Sequence, residues 1–87
     1  MPIPFIPTWM KIIVALAYSP KYIGKLCKLV EPSSRTTVYK HIKYLKERGI
    51  VDEERIDGKR IIKLTDKGKS IASYVVRIYM TLESNRV

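Results

Sequence analysis

Apolar residues recur along this chain with two different spacings, and the change from one to the other outlines the fold. Trp9, Ile12, Ile13, Leu16 and Ala17 fall at helical intervals, which predicts a first helix over 9–18 with Thr8 as its cap. Ser19-Pro20 reads as a cap followed by proline at the first helical position. That predicts a second helix to about Leu29, turning Tyr22, Ile23, Leu26, Cys27 and Val30 inward. Glu31-Pro32-Ser33 breaks the pattern. Ser33 or Ser34 then caps a third helix ending at Arg48, with Val38, Ile42 and Leu45 as its apolar stripe. Gly49 stands where a left-handed C-terminal cap is expected. After it, Ile50–Arg55 and Arg60–Leu64 read as strands around the turn Ile56-Asp57-Gly58-Lys59, a hairpin signal. Thr65-Asp66 caps a final helix to about Ser84, on which Ile71, Val75, Ile78 and Leu82 repeat, widened by Ala72, Val76 and Tyr79.

Helix, helix, helix, hairpin, helix, joined by short connections and without internal repeats, describe one α+β domain that is mostly helical. Pro2, Pro4 and Pro7 make residues 1–8 an extended arm. Residues 9–70 form the domain, and 71–87 a C-terminal helix and tail. A chain of 87 residues buries a modest core. The last helix carries more apolar face than such a core absorbs, which predicts a homodimer. Its interface is expected to include Trp9, Ile13, Leu16, Ile71, Val75, Ile78, Tyr79 and Leu82.

Charge changes the picture next. Seventeen Lys+Arg against eight Asp+Glu give a net charge of +9, which favours a polyanionic partner. Residues 1–46 hold Lys11, Lys21, Lys25, Lys28, Arg35, Lys40, Lys43 and Lys46 against Glu31, an excess of +7, and residues 47–87 hold the remaining +2. The basic face is therefore expected mainly from the first half. One cysteine, Cys27, and one histidine, His41, cannot assemble a zinc site or an internal disulfide, so neither metal nor cofactor is expected. Cys27 reads as a small buried hydrophobe and His41 as a surface or phosphate-side histidine. No apolar run approaches the ~20 residues of a membrane span, and the start lacks the charged region of a signal peptide. The expected location is the cytoplasm.

The run T-V-Y-K-H-I-K-Y-L-K-E-R-G-I-V (37–51), the hairpin, and L-T-D-K-G-K (64–69) resemble, in order and spacing, the winged helix-turn-helix proteins of the MarR-like and PadR-like superfamily. The resemblance covers about 9–73. The chain is shorter than typical members, as a minimal archaeal or archaeal-viral version would be. It implies three helices, a two-stranded wing and a long C-terminal helix. It also implies that the third helix enters the major groove of double-stranded DNA. The residues expected to meet DNA there are Ser34, Arg35, Thr36, Thr37, Tyr39, Lys40 and Lys43, with Arg55, Lys59 and Arg60 from the wing.

Three function classes are weighed. A sequence-selective, homodimeric, DNA-binding transcription regulator accounts for the basic recognition face, with the wing on the backbone or in the minor groove. A nonspecific architectural DNA binder shares the phosphate contacts. A winged-helix protein-interaction module would present an acidic or apolar face instead. No nucleophile–base pair, phosphate-binding glycine loop or metal constellation points to an enzyme, and no catalytic residue is assigned.

Overall fold

The computed structural model describes residues 7–30 and 34–84. The arm predicted over the first residues, the break at Glu31-Pro32-Ser33 and the end of the tail lie outside them. The elements are α1 (Thr8–Tyr18), β1 (Lys21–Tyr22), α2 (Ile23–Leu29), α3 (Arg35–Glu47), β2 (Val51–Ile56), β3 (Lys59–Leu64) and α4 (Asp66–Glu83). The strands form one antiparallel sheet in the order β1-β3-β2. The expected helices and hairpin are all present, and the sheet gains a third strand.

That strand corrects the reading of Ser19-Pro20. Ser19 is extended, at φ −173° and ψ 160°, and the chain continues so through Lys21 and Tyr22, which pair with Ile62 and Ile61. Proline fits an extended segment as well as a first helical turn, and a partner some 40 residues away in the chain decides between them. Helix α2 therefore starts at Ile23, and Tyr22, expected inward, is 46 % exposed. Helix α1 begins at Thr8 itself, with Pro7 in the capping position and its carbonyl accepting from the N–H groups of Met10 and Lys11.

Caps fix the register of α3. The Ser34 hydroxyl oxygen accepts from the Thr37 N–H at 3.2 Å, satisfying one of the helix's orphan donors. Gly49, at φ 73°, ends the helix. The Gly49 N–H bonds the Lys46 carbonyl at 3.0 Å and the Ile50 N–H bonds the Leu45 carbonyl at 2.9 Å, the Schellman arrangement. At the hairpin, Asp57 and Gly58 have φ 52° and 78°, the two positive values of a type I′ turn. Thr65 caps α4 by accepting from the Gly68 N–H at 3.0 Å.

The core lies between α1, α2, α3, the inner face of the sheet and the first turns of α4. Ile12, Ile13, Leu26, Val30, Val38 and Ile62 are fully buried, with Leu16, Cys27, Ile42, Leu45, Val51, Leu64, Ala72 and Val75 around them. Each large side chain so buried contributes about 1.5–3 kcal/mol. Among the described residues no helix is long and apolar enough to cross a membrane.

Candidate nucleic-acid interface

Helix α3 divides cleanly. Val38, Ile42 and Leu45 point into the core, and Ser34, Arg35, Thr36, Tyr39, Lys40 and Lys43 are exposed on the other side, with Thr37 half-buried. The Ser34 hydroxyl donates to the Thr37 hydroxyl at 3.0 Å, so these two groups serve the cap first. Arg35, Tyr39 and Lys43 follow at intervals of four and make one row along the helix. His41 lies half-buried in a shallow depression with Trp9, Lys40 and Tyr44.

The hairpin stands beside that row. Strand alternation puts Val51, Glu53 and Arg55 of β2 on one face with Arg60, Ile62 and Leu64 of β3. Val51, Ile62 and Leu64 close the core, so Glu53 and Arg60 are carried to its rim, against α3. A cleft between helix and hairpin is lined by Ile23, Tyr39, Ile42, Lys43, Lys46, Glu53 and Arg60. Within it Arg60 binds Glu53 through two bonds, Nε to Oε2 at 2.8 Å and Nη2 to Oε1 at 3.0 Å. Lys46 Nζ reaches Oε1 at 3.2 Å, and the Arg60 guanidinium lies 5.8 Å from the centre of the Tyr39 ring. The hydrogen bond from Arg60, helped by that from Lys46, outweighs burial and holds the Glu53 carboxyl down at about 2; Glu53 in turn raises the guanidinium above its ordinary range.

The other wing cations are placed differently. Lys59 is on the outer face of the sheet, 5.3 Å from the centre of the Tyr22 ring. Arg55 lies opposite Arg60 and makes no ion pair among the described residues. The acids of β2 do not form a repelling front. Glu53 is turned inward to Arg60, Glu54 pairs with Lys63, and Asp52 Oδ1 accepts from the Glu53 N–H at 2.8 Å.

Three members of this surface escape a reading by residue type. Lys46 and Glu53 are joined across seven residues, and Tyr22 reaches the wing through β1. The alternation of V-D-E-E-R-I does carry the signal for Glu53, since it puts that residue on the face of Val51.

The expected dimer residues are scattered. Ile13, Leu16 and Val75 are buried in the chain's own core, and Trp9, Ile71 and Tyr79 are half-buried at its edge. Ile78 and Leu82 are 48 % and 50 % exposed on the outer half of α4, next to the more exposed Tyr74. A hydrogen bond with Glu83, and then burial, raise the Tyr79 hydroxyl's pKa above its ordinary value.

A helix pair ending in an exposed polar row, a hairpin laid beside that row and a capping helix make a recognisable set. The fold is similar to that of AF1382 from Archaeoglobus fulgidus, with TM-score 0.79, 28 % identity and 94 % of each chain covered. The chain is a winged helix-turn-helix protein. F-93 of SSV1 has the same winged helix, with TM-score 0.79 and 26 % identity over 94 % of this chain and 95 % of that one. The fold recurs in the MarR family transcriptional regulator SPO1453 from Silicibacter pomeroyi, with TM-score 0.75 and 20 % identity over 85 % of this chain and 54 % of that one. No protein-family model matches the winged-helix chain, and no curated protein matches it in sequence.

Proposed function

We propose that this winged helix is a sequence-selective regulator of transcription that binds double-stranded DNA as a homodimer. The observation that carries the reading is the exposed row on α3. Arg35, Thr36, Tyr39, Lys40 and Lys43 stand opposite a fully occupied apolar stripe, so packing makes no demand on them. Arg35 and Lys40 suit guanine edges, Thr36 a thymine methyl or a phosphate, and the Tyr39 hydroxyl a phosphate. Ser34 and Thr37 set the start of the helix, whose N–H groups favour a phosphate. Arg55 and Lys59 of the wing supply backbone or minor-groove contacts, and the net charge of +9 supplies the long-range attraction. SPO1453 is named as a transcriptional regulator, which supports the same role for a chain of the same fold. Ile78 and Leu82, half-exposed one turn apart on α4, form the apolar surface that a second copy covers. The reading goes with a location in the cytoplasm, the host's if the source is viral.

Competition binding at fixed salt tests the reading, on a duplex recovered by footprinting the protein on its own genome. Wild type should prefer that duplex to random DNA. Arg35→Ala and Lys40→Ala should each lower the ratio, by the roughly five- to hundredfold that one good base contact is worth. Equal binding of all duplexes would make the protein an architectural binder, and no binding would make it a protein-interaction module. Either result overturns the proposal, as would two folded variants that both keep the wild-type ratio.

A further inference from the structure

We infer that Glu53 and Arg60 are positioning residues for sequence discrimination: held by Glu53, Arg60 fixes the ring of Tyr39 on the recognition helix and is not itself a phosphate contact. The inference rests on the DNA-binding reading above and changes the part Arg60 plays in it.

The argument begins with the acid. The Glu53 side chain is 15 % exposed and takes donors from two elements, the strand β3 through Arg60 and the last turn of α3 through Lys46. Its paired bonds to Arg60 orient the plane of the guanidinium as well as its position. So oriented, the guanidinium lies by the Tyr39 ring, one helical turn beyond Arg35 and Thr36. The chain of contacts therefore runs from β2 to β3 and then to α3. It connects the wing to the side chain at the centre of the exposed row. Were Arg60 to leave Glu53 for a DNA phosphate, a carboxylate only 15 % exposed would lose both bonds of its main partner and keep Lys46 alone. Arg55 and Lys59 have no ion pair among the described residues and are the wing's cations for the backbone.

A tyrosine held in one orientation before binding loses less freedom on meeting DNA, and only a duplex that fits that orientation gains the benefit. Lysine keeps the charge of Arg60 but cannot form two parallel bonds and lie flat by a ring. Arg60→Lys is therefore the decisive variant. It should keep wild-type affinity for random DNA and its salt dependence, yet lower the ratio of preferred to random binding about three- to tenfold. Glu53→Gln should lower the ratio similarly. In a Tyr39→Ala background, Arg60→Lys should change the ratio no further, because the side chain it acts through is gone. Proton NMR of the free protein gives a second readout. The ring-current shift that Tyr39 imposes on the Arg60 side chain should disappear in folded Glu53→Gln. Retention of the wild-type ratio by Arg60→Lys would overturn the inference, as would Arg60→Ala lowering the salt slope on random DNA by the ~0.9 of one phosphate contact. In either case the wild-type preference would survive, leaving the proposed function intact. Absence of any preference in the wild type would remove both.

Discussion

Gly68 of α4 lies against the backbone of Ile50, where the chain leaves α3 for β2. A methyl group on Gly68 would run into the Ile50 carbonyl oxygen, and would also lie 3.1 Å from the carbonyl carbon and from a Leu64 methyl. The same carbonyl accepts from the N–H and the hydroxyl of Thr65, at 3.1 Å each. The Thr65 hydroxyl shares its single proton between that carbonyl and the nearer Gly49 carbonyl, at 2.5 Å, and Lys67 Nζ donates to the Arg48 carbonyl at 2.8 Å. The L-T-D-K-G run is thus a backbone seam that joins the start of α4 to the end of α3.

Gly68→Ala tests the seam by sign. Helix propensity alone predicts a gain of about 1 kcal/mol for alanine inside a helix. The clash with Ile50 predicts a loss of about 3 kcal/mol, since backbone is the obstacle and cannot swing aside as a side chain would. A lower urea midpoint is expected, and a raised one would show that the seam is loose.

Acid stability should report the Glu53–Arg60 pair. The folded Glu53 carboxyl sits at about 2, below its ordinary 4.5. Its stabilisation is therefore fully present above pH 4.5 and is lost as pH falls towards 2. Glu53→Gln should cost about 1 kcal/mol at neutral pH, modest because Arg60 is 38 % exposed and solvent screens the pair. The difference between variant and wild type should shrink as pH falls through that window. A difference independent of pH would assign the loss to packing.

On α4, Ile78→Glu should dissociate the proposed dimer, because it puts a charge into a dry interface. The folded monomer should tolerate it, since Ile78 is half exposed within its own chain. Sedimentation at micromolar concentration should show dimer for wild type and monomer for the variant. A wild-type monomer would take the dimer out of the proposal.

For the wing, replacing Arg55 and Lys59 together with alanine should weaken preferred and random duplexes by similar factors. If each meets one phosphate, the slope of log affinity against log salt should fall by up to about 1.8. Loss confined to the preferred duplex would mean that the wing reads bases.

Val38→Ala provides the contrast on α3. Val38 is fully buried, so its truncation should cost about 2 kcal/mol of stability, measured by denaturant. The folded fraction should keep the wild-type preference in competition binding. A changed ratio would mean that packing beneath the helix adjusts its reading side.

The sequence by itself determined the elements whose causes are local. The stripe Val38, Ile42, Leu45 is a period within one helix, Gly49 and Gly58 answer positive φ angles, and Ser34 and Thr65 cap the helices they precede. Those features need no distant partner, and they were enough to trace a winged helix and its exposed row. Only the tertiary structure decided what Ser19-Pro20 does, because an extended segment becomes a strand when Ile61 and Ile62 arrive to pair with it. It alone moved Ile13, Leu16 and Val75 from an expected interface into the core, since one helical stripe looks the same whether its own chain or another covers it. It alone made Arg60 a partner of Glu53 and Tyr39, because a charge in a sequence has no direction until the strand's alternation and the packing of α3 supply one.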